Sequence, residues 1–379
     1  MPGVGPLAFR EADALISLAE QRIDLLRRCQ TQNGPAAAAA WLDSRRRGER
    51  RRLDLLQASP PVLGALRAAL ERAAGELARL GAIGALYAER ARELDLEARL
   101  AECVGRAAFV PLARQRHAEG TGTEWVEARR RALGFCELPV APPREPLHAA
   151  HDPRSPDSLY STLAREIGRL RLPLRIEVVA GLASRAACGG GVIYVRAGER
   201  LTATQARRIA AHELLGHALP RLEARGHALG LVRVGSARSS DDEEGRALHI
   251  EARHGLLDDE RKRELGLRHT AAIAVAGGAD VDECVALLGR FGCGDEEALS
   301  LYLRVARGGG LCRELEYLPA WLRFEEALEH DSGIAEFLAH GRVSLDAARV
   351  LRAEGVTAHS RLVTGNRPSY LVGPRDEGA

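Results

Sequence analysis

Apolar residues recur at helical spacing along the first third of the chain. Leu15, Leu18, Ile23 and Leu26 form one such stripe, and Leu63, Leu66, Leu70 and Leu77 form another. That spacing predicts amphipathic helices with one buried face. Breaks near Gly34, Pro60-Pro61 and Gly120–Gly122 divide the helices from about Glu11 to Cys136. Pro139–Pro146 holds four prolines and reads as a linker, because proline-rich runs extend and resist helix. A second turn cluster, Asp152–Pro156, follows, and Ser158 begins a helix expected to reach about Leu170.

The period then changes. Leu174–Ala180 alternates with β-branched residues, as a half-buried strand does, and Val192–Val195 reads as a second strand after the turn Gly189–Gly191. Thr202 is placed to cap a helix that starts at Ala203, with Gln205 near the capping-box position. The stretch Ser236–Asp242 reads as a polar loop, and Glu243 to about Gly255 as the next helix. From Leu256 to about Glu329 the pattern stays helical, with breaks at Gly277-Gly278, Gly292 and Gly308–Gly310. No internal repeat is visible.

Composition narrows the function classes. With 46% hydrophobic and 28% charged residues, the chain can bury a core and is not of disordered type. Aromatics supply only 4%, so the core must rest on Leu, Ala and Val. A net charge of +2 creates no general demand for nucleic acid or an acidic membrane. The local exception, Ser44–Arg52, reads as a solvated helix face or turn, or else as a docking patch for an acidic partner. Lys262 is the sole lysine, so nearly all positive charge is arginine. The seven cysteines show no CxxC spacing, so neither a disulfide framework nor a cysteine metal site is expected. No signal peptide and no membrane span are expected, and a cytoplasmic location fits.

The chemistry centres on His212-Glu-Leu-Leu-Gly-His217. Zinc takes imidazole and carboxylate ligands in a tetrahedron and leaves one position open for water in a catalytic site. Two histidines on one helix supply two ligands, and Glu213 beside the first is a candidate general base. The usual spacing places the histidines four apart; here they are five apart. Five steps at about 100° each leave the rings about 140° apart on a regular helix. Both face one metal only if the helix contains a π-type wide turn, for which Gly216 is the cheapest place. Glu244, opening the next helix, is the candidate third ligand. Glu251, seven residues later on the same face, is placed to orient a ligand.

These residues resemble a known family. The span His212–Leu257, with its HExxxH helix and its later Glu244-Gly245-Arg246-Ala247, resembles the bacterial QEGLA-motif proteins, relatives of the microtubule-associated tyrosine carboxypeptidases. The resemblance covers about residues 155 to 330. Joined to the helical pattern of the N-terminal region over 1–150, it implies a mostly helical α+β fold, with a zincin-like catalytic domain over 151–379 that has a small sheet and an active-site helix. It also implies one zinc per chain on His212, His217 and Glu244, and a peptide or protein C-terminal tail as substrate. Arg304-Val-Ala-Arg307 and Tyr317 resemble a later segment of the family, so Arg304, Arg307 and Tyr317 are candidates for binding the substrate carboxylate. The strand Val192–Val195 is expected to hold the substrate backbone.

Three positions depart from the family pattern: Arg246 replaces leucine, Glu243 replaces glutamine, and Pro220 stands where arginine is frequent, with Arg221 one place later. HELLGH and Glu243-Glu-Gly-Arg-Ala247 also resemble dipeptidyl peptidase III. A dipeptidyl- or aminopeptidase would need acids for a substrate amine, which Asp241, Asp242 and Glu243 are placed to supply. A non-catalytic regulator binding zinc or a peptide is the remaining reading; the intact Glu213 argues against it. His227, His249 and His254 read as surface or supporting residues rather than ligands.

Overall fold

The computed structural model describes residues 7–117, 122–139, 145–182, 184–331 and 333–358. Most of the expected break at Gly120–Gly122, and residues 140–144 of the proline-rich run, lie outside the described residues. The fold is mostly helical with a few short strands. By contact the chain forms two compact units. Among the described residues, one comprises 139–260 and 320–358, and the other comprises 7–138 and 261–319. Among the described residues no helix is long and apolar enough to cross a membrane.

Among the described residues the first unit holds five strands: β1 (His148–Ala149), β2 (Arg175–Val179), β3 (Ala186–Gly189), β4 (Val192–Arg196) and β5 (Arg200–Leu201). β1 pairs with β5, and the second sheet has the order β2-β4-β3. β4 runs parallel to β2 and antiparallel to β3. Gly190 and Gly191 close the β3–β4 hairpin with φ of 60° and 85°. Positive φ at both central residues is what a two-residue hairpin loop following the strand twist requires. β4 is therefore paired on both sides. This corrects the expectation that Val192–Val195 holds a substrate backbone, because its backbone groups are already committed to two neighbours.

Ile193 and Val195, two apart on one face of β4, are buried with Ala206, Ala210, Leu214 and Ala218. Those four recur every fourth residue, so one stripe of the helical segment 203–218 shares the core of the sheet. Leu159 and Leu163 complete that core from the helix Leu159–Arg169, which Ser158 caps through the Ser161 N–H. The helix Ala203–Ala211 begins in a full capping box: Thr202 accepts from the Gln205 N–H at 3.1 Å, and the Gln205 side chain accepts from the Thr202 N–H at 3.1 Å. Such a cap is worth about 1 kcal/mol and fixes where the helix starts.

Among the described residues, the regular elements of the second unit are all helices. Its first stripe is Ala12, Ile16, Ala19 and Ile23, all buried, while Leu18 and Leu26 are exposed. The alanines allow close packing, so the buried face is offset from the leucines that mark the pattern. Leu63, Leu70 and Leu77 are buried as their spacing predicts. Part of the basic run meets acids of this same unit. Arg45 pairs with Asp295 at 2.7 Å, and Arg46 with Glu296 at 2.7 Å, in the first turn of the helix Asp295–Val305.

Candidate functional site

After Ala211 the helix widens. Residues His212–Ala218 form a π-helix, and the Leu219 N–H reaches back to the Leu214 carbonyl. One residue more per turn brings side chains five apart onto one face, as the histidine spacing requires. Gly216 has an additional reason to be glycine. A Cβ there would lie 2.6 Å from the Cβ and 3.0 Å from the Cα of Ala247. Its φ is not positive. The residue is set by the close approach of the helix Ser239–Arg253, not by backbone angle.

That second helix starts four residues earlier than the sequence pattern indicates. Ser239–Asp242 form its first turn, with Asp241 and Asp242 at the positive end of the helix dipole. Its buried face presents Glu243, Glu244 and Glu251. Glu244 Oε2 lies 3.3 Å from His212 Nε2 and 3.7 Å from His217 Nε2. The two Nε2 atoms are 3.3 Å apart. These three side chains could together hold a metal ion. Glu213, next to His212 in the wide turn, is half-buried.

Each histidine is gripped from behind by a carboxylate. His212 donates through Nδ1 to Glu251 Oε1 at 2.7 Å. His217 Nδ1 faces Glu243 Oε2 at 3.4 Å, and Arg221 donates to that same oxygen at 2.7 Å. Arg221 also donates to the Cys188 carbonyl at 3.0 Å on β3. Burial opposes a charge on His212, but the hydrogen bonds and charges of Glu244 and Glu251 outweigh it and raise the imidazole to about 10. His217 is raised too, against burial, chiefly by the charge of Glu244. Burial works to raise Glu243, yet Arg221, His217 and Arg342 hold it well below the usual carboxylate range. The site thus favours positive charge at its two rings.

The remaining candidates have other surroundings. Arg304 and Arg307 belong to the second unit, where both face Glu314 Oε1, at 2.8 and 3.4 Å. Tyr317 is buried in that unit as well. His249 pairs with Glu325 at 2.7 Å, and His227 Nε2 lies 3.0 Å from the Thr357 carbonyl. Both histidines are buried, so the surface placement does not hold for them. Asp242 receives the Leu345 N–H at 2.8 Å and pairs with Arg323. The sequence reading missed the Arg221–Glu243 grip on His217. The signal was present: Arg221 follows His217 by four residues, one turn on the same face.

Comparison with curated proteins and with solved structures returns no match. A family model does match, and it spans residues 58–365, including every candidate named above. The chain belongs to the microtubule-associated tyrosine carboxypeptidase family.

Proposed function

We propose that this chain is a zinc carboxypeptidase in which His212, His217 and Glu244 hold the metal and Glu213 is the general base. The observation that carries the reading is the separation of the three donor atoms, 3.3, 3.3 and 3.7 Å. Bonds of about 2.0–2.1 Å to a tetrahedral ion put ligand atoms about 3.3–3.4 Å apart. Two imidazoles and one carboxylate also suit zinc better than magnesium or calcium, which take oxygen ligands.

Zinc, when bound in such a site, polarises the scissile carbonyl and brings the pKa of its water to about 7. Glu213 accepts the proton of the attacking water and delivers it to the leaving amine as the C–N bond breaks. Glu251 holds the His212 proton on Nδ1 and so keeps Nε2 available, and Glu243 with Arg221 does the same for His217. A substrate of this class is a peptide or protein C-terminal tail. The family's own description, tyrosine carboxypeptidase, supports that polarity. An aminopeptidase reading loses support, because Asp242 and Glu243 are already engaged by Leu345, Arg323 and Arg221.

Metal analysis of the purified chain, paired with digestion of peptides carrying free or amidated C-termini, tests this. About one zinc per chain and cleavage of the free acids alone are expected. Metal-free active protein, or equal cleavage of both peptide sets, overturns the reading.

A further inference from the structure

The return from the wide turn to ordinary helix leaves a backbone problem. The Leu219 N–H serves the Leu214 carbonyl, five residues back. The next donor belongs to residue 220, which is proline and has none. In the wide register that N–H would serve Leu215; in the α register it would serve Gly216. Gly216 is buried, and a buried carbonyl without a donor is destabilising.

Arg246 comes from the facing helix to this point. Its Nη2 and Nε donate to the Gly216 carbonyl at 2.6 and 3.1 Å, and its Nη1 donates to the Leu338 carbonyl at 2.6 Å. Only 1% of the residue is exposed. Burying a guanidinium is costly, and an apolar side chain would avoid that cost. The planar fork of donors is what an apolar residue lacks and what the Gly216 carbonyl takes up.

We infer that Arg246 is a positioning residue: it supplies the donor that Pro220 withholds, and so fixes the wide turn that aims His217 at His212 and Glu244. The consequence for metal binding rests on the proposed zinc centre; the backbone relation between Arg246 and Pro220 does not.

The test is a double-mutant cycle on the full-length chain with Arg246→Leu, Pro220→Ala and both together. Two quantities are read: the Tm of metal-free protein, and the affinity and visible spectrum with cobalt(II) alone as probe. Arg246→Leu is expected to lower Tm and to weaken cobalt binding by about 10- to 100-fold, the scale for supporting residues of a metal site. Pro220→Ala should stay near wild type. The double variant should recover most of both losses, because the restored N–H can take the Gly216 carbonyl. The lost contact to Leu338 is common to both backgrounds and cancels. If Arg246→Leu does not fold, a folded double variant with near-wild-type cobalt affinity supports the inference. Additive losses, or a double variant no better than Arg246→Leu, overturn it. Coupling in Tm with no cobalt bound by the wild type overturns the zinc reading and leaves the Arg246–Pro220 relation standing, so the two failures are separable.

Discussion

His212 points its Nδ1 at Glu251 from 2.7 Å, which leaves Nε2 as the nitrogen that faces Glu244 and His217. Glu251 is seven residues beyond Glu244, two turns along one helix, so the same face supplies both the third donor and the group that orients the first.

This relation predicts a graded effect. Glu251→Ala removes the acceptor and leaves a buried N–H without a partner, so metal affinity should fall by about 10- to 100-fold. Glu251→Gln keeps an acceptor oxygen and should retain most of it. Competition with a chromogenic chelator measures both; equal losses in the two variants would show that charge, not ring orientation, is what Glu251 supplies.

Gly216 and Ala247 touch at the centre of the site. Gly216→Ala puts a methyl 2.6 Å from the Ala247 Cβ, so one helix must shift. A loss of about 1–3 kcal/mol is expected, the usual scale of overpacking. Ala247→Gly in the same chain should restore most of it, as chemical denaturation can check; no recovery would place the strain elsewhere.

The wide turn was legible because its cause is local: histidines five apart share a face only if the helix gains a residue per turn, and the structure has that turn at His212–Ala218. The capping box at Thr202 and Gln205 was legible for the same reason. The stripe at Ala12, Ile16, Ala19 and Ile23 was not, because alanine carries little hydrophobic signal and packs by smallness. Nor were the inner boundaries of the two units. They fall inside the helices Asp259–Ala276 and Tyr317–His330, where the helical pattern simply continues. The contact of Arg246 with Gly216 joins residues thirty positions apart, a distance over which no periodicity speaks.

His269 supplies a pH dependence away from the candidate metal residues. Burial, reinforced by the charge of Arg129, lowers it from 6.5 to about 4, with only a partial offset from the Glu314 backbone. Between these values the unfolded chain takes up a proton that the fold refuses. The contribution is therefore full above about pH 6.5 and is lost as pH falls toward 4, by on the order of 3 kcal/mol. Urea denaturation from pH 7.5 to 4.5 should show that slope in the wild type and a shallower one in His269→Leu. Identical slopes would assign the acid sensitivity to other groups.

Glu213 separates metal binding from proton transfer. Its neighbour His212 donates a ring nitrogen to the candidate centre, whereas the proposed role of Glu213 is to move a proton. Glu213→Gln keeps the size of the side chain and its place in the wide turn but cannot accept that proton. Metal content should therefore stay near that of the wild type, while kcat on free-acid peptides falls by about 10²- to 10⁴-fold, the range for loss of a general base. KM should change little, because the variant removes an interaction needed in the transition state rather than in binding. His212→Ala provides the contrast, since it should lose metal and turnover together. Metal analysis and steady-state kinetics on the same preparations decide the matter. If Glu213→Gln lost metal as completely as His212→Ala, Glu213 would be acting as a ligand, and the division of labour between the two neighbours would have to be reversed.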